Sequence, residues 1–488
     1  MKSAIKFGAL LFMAFAACTP KTEPDPGPDP TPGPESSATV TVANEIGATA
    51  NVGYNLEANW SLSCDSEWFS VSPLSGFEGF NEFTVTVKAL NENPRERTGY
   101  FDIVLNGTDT PVRISVVQES AGGIELLSDG AVASADGDDV VVEFLATGDV
   151  TAEFSEDWAE VANIETGLED VLLDDNTTVS ALKKGRVTLN VNANSEAEFR
   201  FGELVLSCAG KEYSVPVGQL CAADATKAVN DWNTPFLRRT LAMRFTATWC
   251  GYCPMMAYAY ETAAELYPER FVPFTIHGGS SSIVSENGDA LSNLYRVSGF
   301  PQGIVNTLAV VNNLTVVDAT TAMVTGLVEE ATAELPSKTA ISGGCIVSGN
   351  MLYLHGSVAA KEADESYRLH AYIMEDGIVA NQTSYESAYP GGNDYVHNYV
   401  ERASLTGLEG KGLEISAQGS TSFDFEYDLS SGNFENTGNV YAIIYVTYDT
   451  DERFDGSVPN ASYQNFGHIV DNVVKIPLNG KVDFEYEN

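Results

Sequence analysis

One strand pattern occurs twice in the first half of the chain, and it restricts that half to a β architecture. The run from Phe83, FTVTVKALNENPRERTGYFDIVLNGTDTPVRISVVQ, is repeated in outline by the run from Val187, VTLNVNANSEAEFRFGELVLSCAGKEYSVPVGQ. Alternating strands, an Asn-rich turn, an Arg, a Gly and a final Gln come in the same order in both. The repeat therefore predicts two all-β sandwiches, at residues 37–121 and 122–222.

The first copy resembles the BACON domain family, an often N-terminal module of Bacteroidetes proteins. The resemblance rests on Trp68, Pro73, Gly76, Asn91, Arg97, Gly99 and Gln118, and it is looser in the second copy. It implies immunoglobulin-like sandwiches with a carbohydrate-binding or spacer role. A sugar platform could be built from Trp60, Trp68, Phe69 and Trp158. Aromatic residues are more often packing residues, so we interpret the two modules as spacers.

The pattern changes near residue 223, where strand-like runs begin to alternate with helical ones. The strand-like LRRTLAMRFTAT is followed by PMMAYAYETAAELYPER, which has helical spacing, and then by the strand-like FVPFTIH. ALSNLYRVSGFPQGIVNT predicts a helix, a turn and a strand, and DATTAMVTGLVEEATAEL predicts a closing helix. This alternation predicts an α/β domain at residues 223–339.

Two cysteines, Cys250 and Cys253, stand between the first strand and the first helix of this segment, in FTATWCGYCP. A CxxC can be half of a zinc site, but the chain has no second CxxC and no His pair at zinc spacing. WCGYC, followed some 46 residues later by Gly299-Phe300-Pro301, resembles the thioredoxin fold. The two separated motifs occur in the order that this fold requires.

The thioredoxin resemblance implies that Cys250 and Cys253 are catalytic. We expect Cys250 at the helix start, where the dipole and unpaired N–H groups favour a thiolate. Cys253, one turn on, would resolve a mixed disulfide. Trp249, Phe300 and Pro301 would form the substrate-binding groove for an extended peptide, with Pro301 in the cis form found in thioredoxins.

Arg244 and His277 are the candidate modulators of this site. Arg244 stands six residues before Cys250, where thioredoxins carry a buried acid; an Arg could favour a thiolate but cannot act as a base. Phe300 is bulkier than the residue usual there and could narrow the groove. His277 could be a loop histidine without a role, a group that tunes the cysteine pKa, or a third ligand with the cysteines for copper or zinc. We expect no metal and no cofactor.

A wider set of motifs resembles the outer membrane protein 28 related lipoproteins. It comprises FTATWCGYCP, FTIH, GFPQGIVN and the distant YVHNYVERASLTGLEG, and it covers roughly residues 235–485. From residue 340 to residue 488 the runs are β again, which predicts a C-terminal sandwich. His397 and Asn398 are expected in a loop that packs against the CxxC domain.

The N-terminus has the pattern of an exported lipoprotein. Behind a basic start, Phe7–Ala17 is an apolar run of 11 residues, too short to span a bilayer and typical of a signal peptide. Small residues before Cys18 resemble a lipobox, so we expect a signal peptide at residues 1–17 and lipidation of Cys18. The Pro-rich residues 18–36 are expected to form a tether.

The strongly negative net charge of the chain excludes one class of binding partner. The formal net charge of −42 would repel a phosphate backbone, so nucleic acid is not an expected partner. Apart from Cys18 and the CxxC pair, the pairing of the remaining cysteines is left open; these are Cys64, Cys208, Cys221 and Cys345.

Two classes of function remain open for a lipid-anchored protein of the outer membrane, and the sequence leaves open whether it is surface-exposed or faces the periplasm. One is a thiol–disulfide oxidoreductase that acts on envelope proteins with thiols or disulfides. The other is an adhesin or glycan binder, non-enzymatic, whose CxxC is a structural disulfide and whose partners are host or dietary glycans. The predicted fold class is multidomain and mainly β, with one α/β domain: two immunoglobulin-like sandwiches, a thioredoxin-like domain and a C-terminal β-sandwich.

Overall fold

The computed structural model describes residues 38–108, 110–128, 130–172, 178–312 and 317–487. The predicted signal peptide and the whole tether, including Cys18, lie outside these described residues. One compact unit comprises the described chain up to Leu90 together with Arg97–Glu119; the other comprises Asn91–Glu96 and the chain from Ser120 onward.

The first unit is a sandwich of two sheets. Its strands are β1 (Ala38–Val42), β2 (Thr49–Leu56), β3 (Trp60–Ser63), β4 (Phe69–Ser72), β5 (Ser75–Gly76), β6 (Gly79–Val87), β7 (Arg97–Leu105) and β8 (Val112–Gln118). One sheet has the order β1-β8-β7-β3-β5 and the other β2-β6-β4. Trp60 and Phe69 are buried in the core, and Trp68 is half-buried with the Arg97 Cζ 4.6 Å from its ring centroid. These aromatic residues pack, as predicted.

The second copy of the module opens the second unit. Its strands are β9 (Ile124–Leu126), β10 (Ala131–Ala133), β11 (Asp139–Ala146), β12 (Thr151–Phe154), β13 (Ala159–Glu165), β14 (Asp170–Leu172), β15 (Thr178–Val191), β16 (Arg200–Cys208) and β17 (Lys211–Gln219). They form the sheets β10-β17-β16-β12 and β13-β15-β11-β9, with β14 also paired to β15. Trp158 lies in the core between them.

An Arg–Gln pair shows that the two copies repeat in structure as well as in sequence. The Arg97 Nε donates to Gln118 Oε1 at 2.7 Å in the first copy. The Arg200 Nη1 lies 3.5 Å from Gln219 Oε1 in the second. Each Gln is the last residue of its module's final strand and is buried, so the pair closes the same end of both modules.

The CxxC segment contains β18 (Thr240–Thr246), α1 (Cys253–Leu266), β19 (Phe271–His277), α2 (Gly288–Leu294), β20 (Gln302–Val305), β21 (Ala309–Asn312) and α3 (Val317–Glu334). Its strands lie in the order β21-β20-β18-β19, in which β18 and β19 are parallel and the other pairs antiparallel. Helices α1 and α3 share a core on one face, and α2 packs on the other.

The C-terminal segment continues this same sheet. Its strands are β22 (Thr339–Ser348), β23 (Met351–Ala360), β24 (Arg368–Glu375), β25 (Ile378–Gln382), β26 (Gly392–His397), β27 (Val400–Ser404), β28 (Lys411–Gly412), β29 (Gly419–Asp428), β30 (Val440–Asp449), β31 (Ser462–Tyr463), β32 (His468–Ile476) and β33 (Gly480–Val482). Beyond β19 the sheet continues as β27-β24-β30-β32, and β31 pairs with β21 at the opposite edge. A second sheet, β29-β23-β22-β33, shares a core with it.

Both edges of the CxxC sheet are thus paired by strands from the C-terminal segment. Thr275 N donates to Tyr399 O at 2.6 Å where β19 meets β27. An unpaired edge strand would expose a row of backbone donors and acceptors, and this pairing satisfies part of each row. The predicted domain boundaries stay predictions, but the sheet runs across the one proposed at residues 339 and 340.

The fold class is confirmed as mainly β and multi-sheet, with helices confined, among the described residues, to the CxxC segment apart from short 3₁₀ turns. No helix in the described chain has the length and apolar character needed to cross a membrane.

Candidate redox site

Cys250 and Cys253 form a disulfide in the turn between β18 and α1. Their sulfur atoms are 2.08 Å apart and their Cα atoms 5.4 Å apart. Cys250 N donates to Ala247 O at 3.0 Å, and Cys253 N to Cys250 O at 3.2 Å. Cys250 is 5% exposed and Cys253 1%, so the first cysteine is the more accessible of the two.

The helix starts at Cys253 and not at Cys250, which corrects the sequence-based expectation. A helix starting at Cys250 would need the residue at position 254 to donate its N–H to the Cys250 carbonyl. That residue is Pro254, which has no N–H to donate and is tolerated only in the first turn. The helix dipole therefore begins next to Cys253, and Cys250 lies in the preceding turn.

Trp249, Phe300 and Pro301 gather beside the disulfide. The Phe300–Pro301 peptide bond is cis, and Phe300 packs against the small cluster of Ala247, Cys250 and Cys253. The Trp249 ring lies 5.9 Å from that of Phe300, and its Nε1 donates to Gly279 O at 2.7 Å. Trp249 is nevertheless 52% exposed. The predicted groove residues are thus adjacent, and they form the open side of the site.

Arg244 is buried in β18. Its Nη2 donates to Thr275 Oγ1 at 3.0 Å, and burial lowers the pKa of its guanidinium. Among the described residues no carboxylate lies within ion-pair distance of Arg244. Glu261 interacts with it electrostatically from further away, and burial raises the pKa of that carboxyl. A buried cation that lacks an anionic partner favours negative charge nearby.

His277 is the last residue of β19 and is buried. Its Nδ1 lies 2.9 Å from Ser281 Oγ, and that same oxygen accepts from Thr248 N at 3.2 Å. Ser281 thereby connects His277 to the residue two positions before Cys250. Burial first, and then the nearby His397, Arg244 and Arg402, lower the pKa of His277 well below its ordinary value, so its imidazole is neutral.

The expected loop position of His397 was wrong. His397 is the last residue of β26 and is buried, with its ring 5.2 Å from that of His277. Burial lowers its pKa to about 4. No cluster of three His, Cys, Asp or Glu side chains that could hold a metal ion occurs within the described ranges, and the cysteines are bonded to each other.

The residues between β25 and β26 cover the CxxC turn, and the sequence had not indicated this. The Gln382 Nε2 donates to Cys250 O at 3.0 Å. Thr383 N donates to Thr248 O at 2.8 Å, and Tyr385 N to Gly251 O at 2.9 Å. We call residues 382–389 the strap. No local sequence pattern predicts that the strap covers the CxxC turn. The closest motif that the sequence analysis had identified is the YVHNYVERASLTGLEG run, which follows the strap.

The Tyr385 ring of the strap rests on Gly251. A Cβ atom at this position would lie 2.4 Å from Cδ2 of Tyr385, so a larger residue here would force that ring to move. The small residue at position 251 therefore lets an aromatic ring from the C-terminal segment lie against the CxxC turn. The strap restricts access to the disulfide on this side and leaves the side of Trp249 and Phe300 open.

Residues 288–467 match the family model of outer membrane protein Omp28. Residues 33–121 match that of the viral BACON domain. The BACON resemblance is thus confirmed for residues 33–121 and the outer membrane protein 28 resemblance for residues 288–467, and the second match supports a location in the cell envelope. The thioredoxin resemblance stays a prediction. The Omp28 match begins at α2 and includes the strap, whereas the CxxC turn precedes it. No curated protein matches the chain.

Several solved structures resemble parts of the chain. HBP35 of Porphyromonas gingivalis is 19% identical, with 51% of this chain and 77% of that one covered and a TM-score of 0.38. An Agrobacterium tumefaciens protein is 11% identical, with 51% and 98% covered and a TM-score of 0.29. A Bacteroides ovatus GH5 xyloglucanase is 15% identical, with 23% and 22% covered and a TM-score of 0.16. Likenesses this low support no conclusion about the site.

A buried carboxyl beside the site predicts a pH-dependent stability. Glu401 is fully buried in β27, where it accepts from Asn287 Nδ2 at 2.9 Å and Asn287 N at 3.3 Å. Burial raises its pKa to about 7 from 4.5. Because the folded state holds this proton more tightly, stability is present below pH 4.5 and falls as pH rises through 7. The loss is about 3 kcal/mol at about 1.4 kcal/mol per pKa unit.

We therefore expect Glu401→Gln to flatten this fall. Urea unfolding of the wild type and the variant at pH 5 and pH 8 should show the variant gaining relative stability at the higher pH. Glu212→Gln, at an exposed carboxyl of β17, is the matched control and should follow the wild type. A Glu401→Gln curve parallel to the wild-type curve would contradict the assignment.

Proposed function

We propose that the chain is a thiol–disulfide oxidoreductase of the cell envelope, and that the residues from β18 to α3 are a thioredoxin-like unit. The observation that carries the proposal is the Cys250–Cys253 disulfide at a strand-to-helix turn, with Phe300 of a cis Phe300–Pro301 bond packed against the cluster that contains both cysteines. The β-α-β-α-β-β-α order of the segment supports it.

The surroundings of Cys250 and Cys253 also stabilise the reduced state of these two cysteines. Reduction creates at least a partial thiolate charge, and an anion near the start of α1 gains from the helix dipole. Arg244, buried six positions before Cys250 and without a carboxylate partner among the described residues, adds positive potential to the same segment. His277 is neutral, and it contacts the CxxC turn through Ser281.

The experiment that tests the proposal is disulfide exchange by the whole wild-type chain. Reduced by dithiothreitol, the protein should pass electrons to a model protein disulfide faster than the same concentration of dithiothreitol alone does. Alkylation and mass measurement should then find Cys250 and Cys253 oxidised. If Cys250–Cys253 stays oxidised in mild reductant and no exchange is accelerated, the proposal is wrong.

A second candidate is a non-enzymatic adhesin or glycan binder. It is favoured by the strap, which holds the CxxC turn through backbone hydrogen bonds and buries both cysteines. In that case the disulfide would only join α1 to the end of β18. Resistance of the disulfide to reductant, together with glycan binding that is lost when residues 37–221 are deleted, would support this alternative.

We further propose that Cys18 carries a lipid that anchors the protein in the outer membrane, with the two β modules acting as spacers. The outer-membrane family match supports the compartment, and the apolar run before Cys18 supports the processing. The acidic residues that follow Cys18 in the tether favour export of the folded part to the cell surface.

A further inference from the structure

Four tyrosines, three of them exposed and Tyr389 half-buried, form a strip beside the disulfide. Tyr252 lies between the cysteines, and its ring is 5.2 Å from that of Tyr385 in the strap. Further along α1, Tyr258 is 5.1 Å from Tyr389, at the other end of the strap. Tyr252, Tyr258 and Tyr385 are 49%, 50% and 65% exposed. Two helix-to-strap tyrosine pairs thus present open ring surface to solvent beside the redox site.

The strip has the length of a short extended peptide. Tyr252 is the residue directly before α1 and Tyr258 lies six positions further on, which is about 9 Å along the helix axis. An extended chain rises about 3.3 Å per residue, so about three residues span the same distance. A segment whose cysteine reaches Cys250 would therefore place the next few side chains over the tyrosine pairs.

Charge selects among such segments. Helix α1 and residues 378–397 carry Glu261, Glu265, Glu386 and Asp394, and neither element contains a Lys or an Arg. Glu386 directly follows Tyr385 and is exposed. Tyrosine faces attract aromatic rings and cations, and the neighbouring carboxylates add to the attraction for cations and oppose acids.

We propose that this tyrosine strip selects the substrate: an extended cysteine-bearing protein segment with aromatic or basic side chains within about five residues of the cysteine. The proposal rests on the proposed redox function and names its substrate class. Tyr385 and Tyr389 come from the C-terminal segment, so specificity is supplied by the strap, whereas the chemistry is supplied by the β18–α1 turn.

The chemical step used to test it is a single exchange. In reduced Cys253→Ser protein, the Cys250 thiolate attacks the peptide sulfur of a peptide–thionitrobenzoate disulfide. The Cys250–peptide bond forms, the peptide–thionitrobenzoate bond breaks, and thionitrobenzoate leaves with the electron pair because it is the better leaving group. Its colour reports the rate.

Three peptides of equal length are compared, with Tyr and Lys, with Ala, or with Asp around the single cysteine. Each rate is divided by the rate for the mixed disulfide of free cysteine with the same variant. The Tyr/Lys peptide should react about tenfold faster than the Ala peptide, as expected for two aromatic contacts, and the Asp peptide should react most slowly. Tyr258→Ser and Tyr385→Ser should each reduce this ratio, and Tyr100→Ser, at an exposed tyrosine of β7, should not.

A parallel measurement does not depend on redox chemistry. The same peptides with Ser in place of Cys are titrated into the oxidised whole chain, and binding is followed by NMR. They should bind in the same order, and Tyr258→Ser should weaken the Tyr/Lys peptide alone. If Cys250 reacts with no disulfide, the redox proposal is wrong. The order of binding in this titration still shows whether the tyrosine strip selects among peptides.

Equal rates and equal binding for all three peptides would overturn the proposal. So would a preference that survives both tyrosine substitutions. Tyrosine rings also stack on sugars, so oligosaccharide binding that is lost in Tyr258→Ser, with the peptide ratios unchanged, would identify the strip as a glycan surface and overturn it as well.

Discussion

Replacing Cys253 with serine is expected to leave Cys250 covalently bound to envelope proteins. We expect Cys250 to be the attacking thiol because it is the more exposed of the two and borders the open side at Trp249 and Phe300. Its thiolate attacks a substrate disulfide; one substrate sulfur bonds to Cys250 and the other leaves as a thiolate. Without Cys253 no neighbouring thiol can cleave that bond.

The Cys253→Ser substitution should also cause a large loss of catalytic disulfide exchange. An internal thiol acts at an effective concentration far above that of any added thiol, so catalytic exchange should fall by more than about a hundredfold in Cys253→Ser. Non-reducing electrophoresis should show adducts that collapse with dithiothreitol, and mass spectrometry should place the partner on Cys250. Cys250→Ser should form no adducts of this kind.

Cys64→Ser is the matched control, because Cys64 is a free and partly exposed cysteine in the first β module. It should exchange disulfides at the wild-type rate and trap nothing. A Cys253→Ser protein without adducts, or adducts equally abundant in Cys250→Ser, would refute the assignment of roles. The disulfide would then be a staple beneath the strap, and the binding-protein alternative would gain.

Cys18→Ala is expected to move the protein from the membrane fraction to the soluble fraction. Acyl chains on Cys18 would bury many CH₂ groups at about 0.8 kcal/mol each, and stable anchoring needs more than one chain. Fractionation of cells that express the wild type should require detergent to release the protein, whereas the variant should be released without it. The predicted shift is close to complete.

Cys64→Ala removes a thiol elsewhere and should leave the membrane association intact. Mass measurement of the wild-type N-terminus should find the lipid on Cys18. Continued detergent-dependent association of Cys18→Ala would rule out the lipid as the anchor. It would direct attention to contacts between the folded part and another envelope component.

The strap joins the CxxC turn to the C-terminal segment. Gln382, Thr383 and Tyr385 hold the carbonyl groups of the CxxC turn, so the turn is supported by a segment more than 130 residues away in sequence. Arg402 gives a second such link, since its Nη1 donates to Val284 O at 3.0 Å. The CxxC and C-terminal segments therefore act on the site together.

The sequence alone determined the features that depend on local spacing. Alternation of apolar residues predicted the β modules, and the repeat extends to the Arg97–Gln118 and Arg200–Gln219 pairs. The CxxC spacing allows the two cysteines to pair within one turn. These features follow from side-chain periodicity or from chain geometry over a few residues, which a single sequence carries. The position of Phe300 beside the cysteines was instead expected from the thioredoxin resemblance.

The tertiary structure alone decided what covers the site and where its charges lie. The mispredicted start of α1 is not one of these features, because Pro254 is a local feature that already excludes the bond that a start at Cys250 needs. The strap, the tyrosine pairs and the contact of His277 with His397 join positions more than 100 residues apart. Such contacts depend on how β27 pairs with β19, and no local pattern records that choice. The neutral state of His277 and the lowered pKa of Arg244 likewise result from burial, which only the assembled sheet creates.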